Sequence, residues 1–396
     1  MKNFAPTIAF LLLVFYNGNA QQEKGIVGFN SWLNNWTEFK PNKSEYNEPN
    51  QIITGTIAVD SKLYKKNVYL LMGNVYVTNK AKLTIEPGTV IIADAESKAS
   101  LVITKGASIL AEGTETDPIV FTSSKSIRKA GDWGGILLLG EAPINKFGNV
   151  ASVNFDLDAG FSSYGGTNTA SNSGILRYVR IEFAGAKVKG FGNFNALFLG
   201  GVGNQTIIEN VMASNAGGDS FEVFGGDVNL NKLISYKCSS NDFKFNYGAQ
   251  VNIKNSLAIR ASYLQSSSGS RCLYACSYDK KEEVDFTKKF TLVTATNLTF
   301  VNNSQNIKTD MEQGLVRESI YIAENTNVDF KRSVISGFNP AVVLDEKITI
   351  NDESLKKLKF QEMYFNACKG NIFLENNSNN EDLESWYGNA SFFNVY

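Results

Sequence analysis

The sequence predicts an all-β chain folded as a right-handed parallel β-helix, and three observations carry that expectation. Short runs of β-branched and aromatic residues recur from about Val68 onward, separated by Gly, Asn, Asp and Ser, with no sustained 3.6-residue pattern. The chain holds 44 Asn and 33 Gly against 7 Pro, a mixture suited to tight turns repeated many times. A unit of 22–24 residues then repeats between positions 208 and 260, the length of one solenoid coil carrying two or three short strands.

The elements follow in order. Lys2, the apolar run from Ile8 to Tyr16 and the small residues Gly18-Asn19-Ala20 read as a signal peptide over residues 1–20, cleaved after Ala20. The run is shorter than the roughly 20 residues needed to span a bilayer, so no transmembrane segment is expected once the signal is removed. Residues 21–50, with Trp32 and Trp36, are expected to cap the first coil, because an open solenoid end exposes core and unpaired strand edges. The β-helix is placed over residues 51–375, followed by a C-terminal tail over 376–396. Its short strands include Val75-Tyr76-Val77, Leu101-Val102-Ile103, Ile119-Val120-Phe121 and Ile136-Leu137-Leu138-Leu139. Residues 144–174 read as a long polar loop, 279–289 as a charged insertion and 350–359 as a short helix.

The repeat is clearest in two series. Asn210-Val211-Met212 is followed by Lys232-Leu233-Ile234 and then by Asn255-Ser256-Leu257. Asp219-Ser220-Phe221-Glu222-Val223-Phe224 aligns 23 residues on with Asp242-Phe243-Lys244-Phe245-Asn246-Tyr247. Phe221, Phe224, Leu233 and Phe245 are expected to be buried and Asp242 at least partly exposed. A looser pair links Ser333–Leu344 with Met363–Leu374, carrying the solenoid close to the C-terminus.

Composition removes several function classes. Lys and Arg total 38 against 39 Asp and Glu, so no basic surplus argues for nucleic-acid binding. The absence of His from all 396 residues eliminates Ser/His/Asp and Cys/His catalysis and His-ligated zinc. No cofactor is expected, with Ca²⁺ the one candidate. The four Cys at 238, 272, 276 and 368 serve either as small core residues or, for Cys272 and Cys276, as a bridge across a tight loop. An outer-membrane barrel ending at Tyr396 would need alternating segments of about ten residues, which the short Gly-rich runs do not supply.

Five stretches together resemble a known family. They are Leu83-Thr84-Ile85-Glu86-Pro87-Gly88-Thr89-Val90-Ile91, Pro118-Ile119-Val120-Phe121-Thr122-Ser123, Gly131-Asp132-Trp133-Gly134-Gly135-Ile136, Leu176-Arg177-Tyr178-Val179-Arg180-Ile181-Glu182-Phe183-Ala184-Gly185, and Asp219 to Gly226. The chain is similar over about residues 30–260 to exported right-handed parallel β-helix proteins of Bacteroidetes, for which no activity is generally established. The resemblance implies a pectate-lyase-like β-solenoid. Such proteins carry a denser acidic run where this chain has Asn241-Asp242-Phe243-Lys244-Phe245-Asn246.

On the 23-residue register, Asp219 and Asp242 occupy equivalent points of neighbouring coils, within reach of one Ca²⁺ or one sugar hydroxyl. Glu222, Asp227, Asn241 and Asn246 stand nearby as further oxygen ligands. The competing reading is that these side chains satisfy turn backbone, with Lys244 neutralising the patch. The same acids, Asp219, Glu222 and Asp242, are the candidates for carbohydrate acid/base chemistry, with Arg260 or Arg271 as a lyase base. Trp133 is either a sugar-stacking platform or a filled coil corner. The functional expectation is an exported binding or structural module of the cell surface or periplasm, for glycans or proteins. The alternative is a polysaccharide lyase or glycoside hydrolase using the acidic patch.

Overall fold

A computed structural model describes residues 23–28, 32–261, 270–376 and 380–396. The expected signal segment lies outside the described residues. The strands form a right-handed parallel β-helix, their hydrogen-bonded neighbours arranged as three parallel ladders. The first ladder runs from Gln51–Ile57 through Ile234–Tyr236 and Leu257–Arg260 to Tyr364–Asn366. The second includes Leu197–Gly200, Phe221–Phe224, Phe243–Asn246 and Leu273–Ala275, and ends at Ile372–Leu374. The third runs from Ser61–Leu63 through Asp227–Asn231 to Leu358–Gln361.

Corners explain the Asn-rich composition. Tyr178, Asn210, Lys232, Asn255, Asn297, Arg332 and Glu362 stack between the third and first ladders, and all have positive φ. One residue per coil therefore enters the left-handed region, where Asn is better tolerated than most residues. Between corners, alternate side chains point inward. On the second ladder Leu197, Phe221, Phe243, Leu273 and Ile320 form one interior column. Within it Phe221 and Phe243 stack with ring centroids 5.4 Å apart.

The pairing corrects the sequence register. Phe221 pairs with Phe243, Glu222 with Lys244 and Phe224 with Asn246, so the repeat here is 22 residues and not 23. A slip of one residue turns every side chain to the other face. Asp242 is accordingly fully buried, where partial exposure was expected, while Phe221, Leu233 and Phe245 are buried as expected. Phe224, expected inside, is on the outer face and half-buried.

The N-terminal segment does not cap the first coil. Lys24 Nζ donates to the carbonyls of Met363 and Phe393, Gly25 N to Arg332 O, and Ile26 N to Thr299 Oγ1. Asn255 exchanges two hydrogen bonds with the Val27 backbone. Farther along, Trp32, Leu33 and Trp36 pack on Met212, Ile234 and Leu257 of the first ladder's outer face. Arg128 donates to the carbonyls of Pro41 and Ser44, and Arg180 to the Tyr46 hydroxyl. The described residues of the segment thus run from beside the last coil, at Lys24, along the side of the solenoid to the first, as a strap. Its aromatic residues are spent on this lateral face, and Ile52 in the first strand stays 64% exposed.

At the other end, the helix Glu381–Tyr387 buries Leu383 and Tyr387 in the main core, and Val395 pairs with Tyr364. Residues Asp352–Leu355 form the short helix expected in 350–359. The 144–174 loop contains a small antiparallel hairpin, Ala151–Ser152 with Ser163–Tyr164. All four Cys are free thiols; Cys272 and Cys276 flank the strand Leu273–Ala275, too extended for a bridge. Among the described residues no helix is long and apolar enough to cross a membrane.

Phe243→Ala removes a ring from the centre of a continuous aromatic stack and is expected to cost about 3–5 kcal/mol in denaturant unfolding. Phe224→Ala, on the outer face, should cost clearly less. Equal losses would contradict the inward assignment.

Candidate functional site

The second ladder's outer face carries Phe198, Glu222 and Lys244 one above another. Two excursions from the coils rise beside this column and enclose a lateral cleft of about 830 Å³. One wall is the 144–174 loop, which contributes Val153, Phe155 and Tyr164; the other is the 279–289 insertion, which contributes Asp279, Lys280 and Glu283. Gly192 and Asn193 complete the rim.

Local chemistry fixes both walls. Gly225 and Gly226 end their strand with positive φ, and a Cβ on Gly225 would stand 2.2 Å from Ile144 Cγ2. Only glycine lets the loop lie this close to the ladder. Gly226 N donates to Pro143 O, and Asn145 N to Tyr247 O, tying the loop to two successive coils. Opposite, Asp279 accepts from Tyr247 Oη at 2.7 Å and from Asn246 Nδ2 at 2.8 Å. Lys146 joins the walls: its ammonium pairs with Glu283 at 2.7 Å and lies 4.3 Å above the Tyr247 ring. Phe155 packs on Phe194 and Phe198, with centroids 4.7 and 5.7 Å apart.

On the floor, Lys244 Nζ pairs with Glu222 Oε1 at 2.7 Å, and Asn195 Nδ2 donates to Glu222 Oε2. Burial pushes the Glu222 carboxyl up to about 7, against the opposing pull of Lys244. Burial would lower the Lys244 ammonium, yet Glu222, Asp219 and Asp279 outweigh it and hold the group well above the usual lysine range. The pair lies in a largely desolvated site between aromatic rings, with Lys244 also 5.3 Å from the Phe224 ring. Burial raises the Tyr164 hydroxyl as well, so it remains a protonated donor on the cleft wall.

Asp219 and Glu222 both line this cleft. Asp219 spends one oxygen on the next coil, where its Oδ1 accepts from Asn241 N at 2.8 Å and Nδ2 at 3.0 Å. Asn195 does the same one coil earlier, its Oδ1 accepting from Asp219 N at 2.9 Å. These side chains form an amide and carboxylate column that satisfies turn backbone.

Asp242 does not join them. It stacks on Ser220 and points into the core, where Arg260 Nη1 reaches its Oδ2 at 2.7 Å and Ser235 Oγ donates to Oδ1. Asp219 and Asp242 therefore cannot share a cation, and among the described residues no group of three or more Cys, Asp and Glu side chains could hold a metal ion. Arg260 and Arg271 do not line the cleft: Arg260 is buried on Asp242, and Arg271 pairs with Glu318 and lies 4.5 Å from the Tyr321 ring. Asn246 is buried and supports the Asp279 wall instead of facing a ligand. Trp133 is wholly interior, stacked on Phe121, its indole donating to Glu182 O at 2.7 Å. Sequence reasoning missed Phe198, Asn195, Tyr164, Tyr247 and Asp279 as site residues. The 22-residue register would have revealed Lys244 as the partner of Glu222.

With this geometry in view, the comparisons identify the family. A family model described as a pectate-lyase like β-helix domain matches residues 55–391, and the chain belongs to that family. A solved pectin methylesterase in complex with a hexasaccharide is 10% identical, with 79% of this chain and 88% of that one covered at a TM-score of 0.32. A search of curated proteins found no match.

Two predictions follow from the charges. Glu222 titrates higher in the folded than in the unfolded state, so the folded protein binds the extra proton between about 4.5 and about 7. Its contribution to stability falls as pH rises through that window, and Glu222→Gln should flatten this part of a melting-temperature profile. Arg260→Met strands the buried Asp242 carboxylate and is expected to cost about 3–5 kcal/mol, most of it recovered in Asp242→Leu/Arg260→Met. A double variant no more stable than Arg260→Met would refute the pair's isolation in the core.

Proposed function

We propose that this protein is an exported glycan-binding module, acting at the cell surface or in the periplasm, and that the lateral cleft is its binding site. The observation that carries this reading is the mixture on the cleft walls. The half-buried Phe155 ring stands beside fixed carboxylates, amides and ammonium groups, all mounted on one rigid ladder and two tied loops. Sugar rings present apolar faces and hydroxyl edges, which call for that pairing of surfaces. Export rests on the N-terminal pattern of a charged start, an apolar run and small residues at the cleavage point.

The alternative is a carbohydrate-active enzyme, and one observation favours it. A carboxyl held near neutrality in a cleft is suited to general acid–base catalysis. Binding is preferred because Lys244 and Asn195 already engage both Glu222 oxygens, and the side chain is 5% exposed.

A glycan-array screen of the protein, with calorimetric titration of the hits, tests the reading. Phe155→Ala should weaken binding at least about tenfold, a loss of about 1.4 kcal/mol, without a matching loss of thermal stability. Absence of any glycan ligand would sink the proposal. Release of reducing or unsaturated ends from a bound glycan, lost in Glu222→Gln, would instead establish the enzyme.

A further inference from the structure

Resting on the glycan-binding reading, we infer that the cleft selects an uncharged, hydroxyl-rich glycan and rejects polyuronates. The lining holds four Lys and four acidic residues, so it offers no net positive charge to a polyanion. Three of its four cations are paired with carboxylates. Lys244 is bound to Glu222 at 2.7 Å, while Lys146 and Lys280 both face Glu283, at 2.7 and 3.6 Å. Lys187, at the exposed rim, has no acidic partner among the described residues.

The most buried acidic groups of the lining are Glu222 and Asp219, with Asp279 above them on the wall. Glu222, Asp219 and Asp279 surround the single ammonium of Lys244, and all three act on it strongly enough to overcome its burial. A uronate carboxylate brought to this floor would lose its hydration and meet like charges, with no unshared cation to compensate. A neutral sugar meets none of that penalty. Its hydroxyls donate to carboxylate oxygens, and its own oxygens accept from Lys244, which has N–H groups beyond the one given to Glu222, and from the Tyr164 hydroxyl.

A bridging divalent cation would be the usual means of reconciling acidic walls with an acidic polymer. No three acidic or thiol groups converge in the described residues to fix one, and Asp219 and Asp279 each already accept two hydrogen bonds. Selection against uronates is thus built from how the charges are paired.

The test is titration calorimetry of the protein against neutral hexasaccharides (cellohexaose, xylohexaose and mannohexaose) and hexagalacturonate. Each is run at low and high salt, with Ca²⁺ or with a chelator, on the protein and on Phe155→Ala. The expected result is that at least one neutral hexasaccharide binds, with affinity insensitive to salt and chelator and weakened in Phe155→Ala. Hexagalacturonate should bind at least about tenfold more weakly under every condition. Preferential binding of hexagalacturonate, lost in Phe155→Ala, would overturn the selectivity while leaving the glycan cleft standing. No binding of any glycan, here or on the array, would overturn both.

Discussion

Everything in this molecule depends on parallel, in-register stacking of one coil on the next. The hydrogen bonds between coils put each residue directly under its counterpart, at a spacing of about 4.8 Å. A side chain therefore inherits its surroundings from the same position one coil away. Inward positions become the continuous file of Phe and aliphatic residues that is the core. Outward positions become columns in which a carboxylate can be set above an ammonium, as Glu222 is above Lys244. The cleft is one such column enclosed by two excursions.

The same constraint shows where the sequence was legible and where it was not. The architecture was readable because one left-handed corner per coil selects Asn and its substitutes, which recur closely where the coils are short, as in Asn210, Lys232 and Asn255. The interior Phe221 and Phe245 were readable from the in-and-out alternation within each strand, which does not depend on the alignment between coils. The candidate site was misread because the alignment slipped by an odd number. Matching Asp219 to Asp242 is attractive by residue type, but it makes an interior ion-pair partner look like a surface ligand and obscures the pairing of Lys244 with Glu222. Hydrogen-bond register is a property of two coils together, and residue similarity within one coil does not fix it.

The walls of the cleft were less legible still. Residues 144–174 and 279–289 were recognisable as departures from the repeat, yet nothing in either segment states that they rise on the same side of the solenoid. That follows from their tie to one ladder through Asn145, Tyr247 and Asp279. Phe155 and Tyr164, far from Glu222 in sequence, become its neighbours only through those ties. Trp133 illustrates the converse: of its two readings, sugar platform or filled coil corner, the second holds, because its small neighbours let neighbouring coils close over it.

The strap has an implication for how such a chain can change over evolutionary time. Solenoids readily lengthen by duplicating a coil, since each unit touches only its neighbours. Here the described residues of the strap, 24–28 and 32–50, touch coils from Met363 and Arg332 back to Val68. Each added coil would lengthen that path by about 4.8 Å, so the strap would have to grow by one or two residues at about 3.3 Å each. Duplication in one part of the gene would need a matched insertion in another. The strap therefore acts as a ruler, penalising any copy-number change it does not match and holding this β-helix near its present length.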